Sequence, residues 1–360
     1  MRQQSSAGRV RQGIRQRFGK RDHRHLAAGG RIPYRAVRKI PQRLSGGRRA
    51  RYVPQGGSYW LSPNGGDPYQ EYDYSLNENG KSRKYGNATQ DYLVDVLSEK
   101  VKAFIKDTVK YFPRQPFFIH LAPYIPHGPA TPRVRDGDSL PDARMPRTAA
   151  FNEKDMSDKL VWLKNKPELT AEQIADMDAA YRRRLRSMQA VEDMVKSLID
   201  TLQAQGRLEN TYIFFTSDNG FHMGQHRLPM GKNTAFEEDI HVPLVVRGPV
   251  VPAGRTVKAM TGNVDFAPTF AAIARLPAPP YVDGRSLMPF LNGTPPKRWR
   301  RVFLLQRKQE DAVTAAARKV LEPRPSRNSR TSGVRGSRAQ LRGVAHGGGF
   351  DLCGVRHRGA

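Results

Sequence analysis

The sequence of 360 residues holds a single cysteine, Cys353, and no apolar run that approaches the ~20 residues needed to span a membrane. One cysteine excludes an intramolecular disulfide and any metal site built from several thiolates. Acidic residues are scarce at both ends. Residues 1–51 carry sixteen Lys and Arg against the single acid Asp22, a net of +15, and residues 306–360 carry twelve against four, a net of +8. Taking both from the formal +28 of the chain leaves +5 for residues 52–305. Clustered on a folded face, such a surplus would point to nucleic acid or an acidic membrane; confined to the ends, it implies no specific nucleic-acid partner. Both ends are rich in Arg, Gly, Ser and Gln, lack apolar periodicity and read as disordered or non-native segments flanking a globular region. The basic N-terminus has no apolar h-region, so the chain as written shows no secretion signal. Sequons at Asn87-Ala-Thr and Asn292-Gly-Thr would suit a secreted protein, and the compartment stays open.

Residues 52–305 have the alternation of helical and strand patterns expected of an α/β sheet flanked by helices. TQDYLVDVLSEKVKAFIKDTVKYF places Leu93, Val96, Leu97, Val101, Phe104 and Ile105 on one helical stripe, and PFFIHLA follows as a buried strand. A long helix opens at a capping box, Thr170 to Gln173, runs through Met177, Tyr181, Leu185, Met188, Val195, Leu198 and Leu202, and stops at Gly206. TYIFFT and HVPLVVRGP are two further strands. NVDFAPTFAAIARL reads as a helix with Asp265 at its start and Pro268 in its first turn. Polar loops leave the C-terminal ends of PFFIHLA and TYIFFT, which are expected in one sheet, and open α/β sheets bind ligands outside such ends.

The loop TSDNGFHMGQHRLPMGK, from Thr216 to Lys232, concentrates the chemistry. Asp218-Asn219-Gly220 is a strong turn signal, and it also offers a carboxylate and an amide oxygen side by side, two hard ligands for Ca²⁺ or Mg²⁺. His222 and His226 have zinc-ligand spacing only on a helix. Gly224 and Pro229 argue against one, and the glutamate of an H-E-x-x-H site is missing, so these histidines read as structural or substrate-facing. Lys232, in MGKNT, is either a solvated lysine or a point charge for an anion. His127, between prolines in PHGP, is either a plain loop histidine or a donor to an anion or leaving group.

Residues 52–305 resemble the sulfatases, and most closely the branch of N-acetylglucosamine-6-sulfatase and arylsulfatase. The segments that carry the likeness are YSLNENGKSRKYG, APYIPHGPATP, YRRRLRSMQAVEDMV, IFFTSDNGFHMGQHRLPMGK, FEEDIHVPLVVRGP, VDFAPTFAAIA and DGRSLMPFL. The resemblance implies an alkaline-phosphatase-like sheet, a Ca²⁺, and a formylglycine made from cysteine whose hydrate attacks the sulfur of a sulfated carbohydrate or aryl sulfate ester. It assigns Asp218 and Asn219 to the metal, Lys232 to a sulfate oxygen, and His127 to the sulfate or the leaving oxygen. Family members are often secreted, periplasmic or lysosomal. The assignments agree with elementary chemistry: negative oxygens shield the sulfur, so a cation and fixed donors must neutralise charge as a nucleophile approaches.

The family's C-x-P-S-R nucleophile motif, its Asp-Asp metal pair and its K-x-H motif are all missing from the sequence, and Cys353 lies in LCGVR. Residues 52–305 therefore read as the central and later part of a sulfatase catalytic domain, incomplete at its N-terminal side, with impaired turnover. Two other readings stand beside this one. A phosphatase or phosphodiesterase of the same superfamily would tend to hold zinc with Asp-His pairs, which Asn219 disfavours. A non-catalytic binder of sulfated polysaccharide would use the basic ends.

Overall fold

The computed structural model describes residues 52–54 and 57–305 with their side chains, and the backbone alone of 34–37, 306–308, 340–346 and 349–351. The expectation of disordered or non-native ends, and the place of Cys353, otherwise fall outside the described residues. Two compact units divide the chain: residues 1–146 with 170–210, and residues 147–169 with 211–360. No helix among the described residues is long and apolar enough to cross a membrane.

The first unit is built on a mixed sheet of β1 (Tyr34–Val37), β2 (Tyr59–Gly66), β3 (Tyr74–Glu78), β4 (Lys81–Lys84) and β5 (Phe118–Leu121), in the order β4-β3-β2-β1-β5. β1 runs parallel to both β2 and β5, while β2, β3 and β4 are antiparallel neighbours. Asn79 and Gly80, both at positive φ, close the β3–β4 hairpin as an Asn-Gly pair does. Helix α1 (Leu93–Tyr111) buries Leu93, Val96, Leu97, Val101, Phe104 and Ile105, the stripe expected from its spacing. Helix α2 (Ala171–Ala204) buries Ala190, Val191 and Met194 against Tyr92, Val94 and Ile125. Of the residues expected to face the core, Met188, Val195 and Leu198 pack only at the margin of this cluster. Small side chains let α2 approach α1 closely: Ser98 Oγ and Ser197 Oγ are 3.0 Å apart.

The capping box of α2 forms in both directions. Gln173 N donates to Thr170 Oγ1 at 3.2 Å, and Thr170 N donates to Gln173 Oε1 at 2.9 Å. Gly206, at φ 63°, ends the helix in the left-handed region. Thr170→Ala removes the acceptor for one otherwise orphaned amide and is expected to lower stability by about 1 kcal/mol, read as a lower urea midpoint at unchanged m-value.

The second unit contains β6 (Ile213–Thr216), the single-turn helix α3 (Glu237–Ile240), β7 (Leu244–Arg247) and helix α4 (Phe266–Ile273). It also holds an antiparallel sheet of β8 (Val302–Lys308), β9 (Gln340–His346) and β10 (Gly349–Asp351). Pro268 lies in the first turn of α4 and Asp265 just before it, as expected. β6 pairs antiparallel with β7 and, among the described residues, with no other strand, whereas β5 belongs to the sheet of the first unit. The expectation of one sheet carrying both polar loops is therefore corrected. Parallel pairing of β6 with β7 would need a crossover helix; the intervening segment has only the four residues of α3 and folds back on itself.

Candidate functional site

The loop after β6 is held by backbone bonds to two distant points. Gly220 N donates to Asp239 O at 2.8 Å, and His222 exchanges both main-chain bonds with Gly231, at 2.9 and 3.0 Å. Both glycines are needed for these approaches. A Cβ on Gly220 would lie 1.9 Å from Glu238 O, and one on Gly231 would lie 2.9 Å from His222 Nε2. The bridge at His222 rules out the helical spacing that a zinc pair with His226 would need.

These contacts bring two of the expected residues together. Lys232 Nζ donates to Asn219 Oδ1 at 3.2 Å, and Asn219 Nδ2 donates to Gly220 O at 2.7 Å. The amide orientation follows from the partners, because an ammonium can only donate and a carbonyl can only accept. Ser217 Oγ donates to Asn219 O at 2.8 Å and fixes the turn. Asp218, next in the same strand-end turn, is exposed. Lys232 is half-buried, so its charge is partly withdrawn from water where it meets the amide oxygen.

The two candidate histidines have separate surroundings. His222 is buried with Nδ1 2.9 Å from Asp239 Oδ1; the carboxylate can only accept, so Nδ1 carries the proton. Asp239 Oδ2 takes the amide and the hydroxyl of Thr234, both at 2.7 Å. Burial pushes the Asp239 carboxyl up, but the bonds from His222 and Thr234 outweigh it and hold it below the usual carboxylate range. His226 stacks on Phe236 with ring centroids 4.0 Å apart and bonds Glu153 Oε2 through Nδ1 at 3.0 Å. Neighbouring Arg227 donates to the carbonyls of Glu153, Lys154 and Lys166. His226 is thus set in a structural cluster around Met156, Leu163, Leu228 and Phe236.

His127 lies in the first unit, on the loop after β5. Its Nδ1 is 2.8 Å from Gly128 O and so carries the proton, leaving Nε2 for another partner. The exposed ring packs 4.4 Å from that of Tyr69, and turn bonds Tyr124 O to His127 N and His127 O to Ala130 N, each 2.9 Å, set its backbone.

The oxygens of Asp218 and Asn219 suit calcium in kind. In number they are members of a ligand set rather than a whole site, since Ca²⁺ takes ~6 to 8 oxygens. Among the described residues, no three His, Cys, Asp or Glu side chains are grouped so as to hold a metal. Asp239 is the residue that sequence reasoning left unassigned. In FEEDI it reads as one of three surface acids, and only a contact across seventeen residues reveals its part.

The sequence model of the Sulfatase family matches residues 47–276. Human N-acetylglucosamine-6-sulfatase is 37% identical over 257 residues, which cover 71% of this chain and 46% of that protein. The arylsulfatase of Volvox carteri is 32% identical over 233 residues, covering 56% of this chain and 35% of its own. The chain spans about half the length of the N-acetylglucosamine-6-sulfatases it matches. A solved structure of a protein in complex with its substrate D-glucosamine-2-N,6-O-disulfate superposes with a TM-score of 0.61 at 23% identity, over 78% of this chain and 67% of that one. That likeness concerns the fold.

Proposed function

The chain belongs to the sulfatase family, and we propose that residues 52–305 are part of a sulfuric ester hydrolase domain that binds the sulfate group of a sulfated sugar through Lys232 and the strand end at Asp218 and Asn219. The observation that carries this reading is the Lys232 Nζ to Asn219 Oδ1 contact of 3.2 Å. It sets a fixed cation beside the amide oxygen of Asn219, next in sequence to the carboxylate of Asp218. A lysine so placed meets sulfate as a preorganised point charge, and its orientation is set before the ligand arrives.

Calcium, with Asp218 and Asn219 among its ligands, would add positive charge at the same strand end. What the chain's own residues do is narrower. Lys232 neutralises a sulfate oxygen, Asn219 holds Lys232 in place, and Gly220 lets the turn lie against the main chain of α3. For His127, in the first unit, the family resemblance implies a donor to the sulfate or the leaving oxygen. The sequence contains no C-x-P-S-R segment from which formylglycine could form, so we expect binding without turnover from this polypeptide alone.

Isothermal calorimetry with D-glucosamine 6-sulfate, and with unsulfated glucosamine as the control, tests the reading. The sulfated sugar should bind and the control should not. Lys232→Ala should weaken binding at least tenfold, about 1.4 kcal/mol. Equal affinity of wild type and Lys232→Ala would make Lys232 a surface lysine.

A further inference from the structure

We propose that Asp239, acting through His222 and Thr234, is the positioning residue that holds Lys232 against Asn219. This inference rests on the sulfate-binding reading of Lys232, and its test separates the two. Asp239 ties the loop after β6 at three points. Its main-chain oxygen takes Gly220 N at 2.8 Å, next to Asn219. Its Oδ1 takes His222 Nδ1 at 2.9 Å, and its Oδ2 takes both Thr234 N and Thr234 Oγ1 at 2.7 Å, two residues past Lys232.

The His222 ring transmits the constraint. Its main chain is bridged to Gly231, the residue before Lys232, and its Nε2 would lie 2.9 Å from a Cβ there, so the ring packs directly on the Gly231 backbone. Lys232 is thus bracketed by Gly231, fixed to His222, and by Thr234, fixed to Asp239. Asn219 is held on one side, by Gly220 N on the Asp239 main-chain oxygen. The buried carboxylate sets the Lys232 side of the 3.2 Å contact, and the main-chain oxygen of the same residue holds the Asn219 side. A side chain serving only to cap the single-turn helix α3 would need the Thr234 bonds alone; the bond to buried His222 is the additional feature that reaches Lys232.

The test uses two readouts on the full chain. The first is the rate at which Lys232 is acylated by an N-hydroxysuccinimide ester, followed by mass spectrometry with the other lysines as internal reference. The second is the affinity for D-glucosamine 6-sulfate, measured well below the unfolding midpoint of each variant. In Asp239→Ala, Lys232 should acylate at least threefold faster and the sugar should bind at least tenfold more weakly. Asp239→Asn keeps one oxygen for Thr234, and its amide can donate to His222 Nδ1 once the imidazole carries its proton on Nε2; it should restore both to within threefold of wild type. If Asp239→Ala does not fold, the pair His222→Leu and His222→Asn takes its place, because asparagine retains a donor where Nδ1 stands. A folded Asp239→Ala or His222→Leu with unchanged Lys232 acylation overturns the positioning role. Faster acylation in a protein whose wild type ignores the sulfated sugar keeps that role and discards the sulfate reading instead.

Discussion

Glu71→Gln should flatten a fall in stability that the wild-type protein shows between about pH 4.5 and pH 8. Glu71 is fully buried, and neither carboxyl oxygen has a well-formed hydrogen bond among the described residues. Burial therefore pushes its pKa up to about 8; the Val94 amide offsets part of this, and the Asp95 carboxylate adds to it. The backbone holds the side chain in place, since Glu71 has φ 68° and its carbonyl accepts from Leu93 N at the start of α1 at 3.0 Å. In the unfolded chain the same carboxyl ionises near 4.5. Between the two values the folded protein keeps a proton that the unfolded chain has released, so stability falls as pH rises. The slope is about 1.4 kcal/mol per pH unit, and the whole interval amounts to about 5 kcal/mol. Below the interval Glu71 is neutral in both states, and above it the full cost of the buried charge is present. Urea unfolding of the two proteins at pH 5, 7 and 9 measures the effect. The midpoints should diverge with rising pH, with Glu71→Gln the more stable at pH 9. Parallel profiles would mean that water reaches the carboxyl.

Glu71 also illustrates what a sequence leaves hidden. In QEYDY it looks like any solvated acid, and its burial is decided by chain elements that local pattern does not describe. The same holds for Asp239, one of three acids in a row, whose partner His222 lies across a turn. Elements whose cause is local were legible. The α1 stripe follows from apolar spacing, the start of α2 from Thr170 and Gln173, and its end from Gly206. Sheet membership was not, because alternating helices and strands suggest parallel pairing, and only the shortness of α3 shows that β6 and β7 meet antiparallel. At the candidate site, the motif from Thr216 to Lys232 supplied the residue types. The contact between Lys232 and Asn219 depends on His222, Gly231 and Asp239, which set the loop's path.

Arg300→Ala is expected to cost the second unit about 3 to 5 kcal/mol, the range for breaking a buried ion pair by removing one partner. Asp265 is fully buried at the start of α4, and the Arg300 guanidinium reaches both of its oxygens, with Nη2 2.6 Å from Oδ1. Two main-chain amides complete the carboxylate's shell: Gly262 N at 3.0 Å and Arg285 N at 2.8 Å. Burial pushes the Asp265 carboxyl up, while Arg300 and these amides hold it below the usual range. Without Arg300 the charge stays buried with two amides alone. A group with a depressed folded pKa contributes stability above its unfolded pKa and loses it as pH falls through the folded value. The gap between wild type and Arg300→Ala should thus be widest near neutral pH and shrink in acid, where the stranded carboxyl can take a proton. Arg300→Lys should recover only part of the loss, because a point charge cannot make the two-pronged contact. The double variant Asp265→Asn with Arg300→Met removes both charges, keeps an oxygen for one of the two main-chain amides, and should lose less than Arg300→Ala. Urea titrations at pH 4.5 and 7 decide the matter: a loss below about 1 kcal/mol at pH 7 would place this pair with surface ion pairs, whatever its burial.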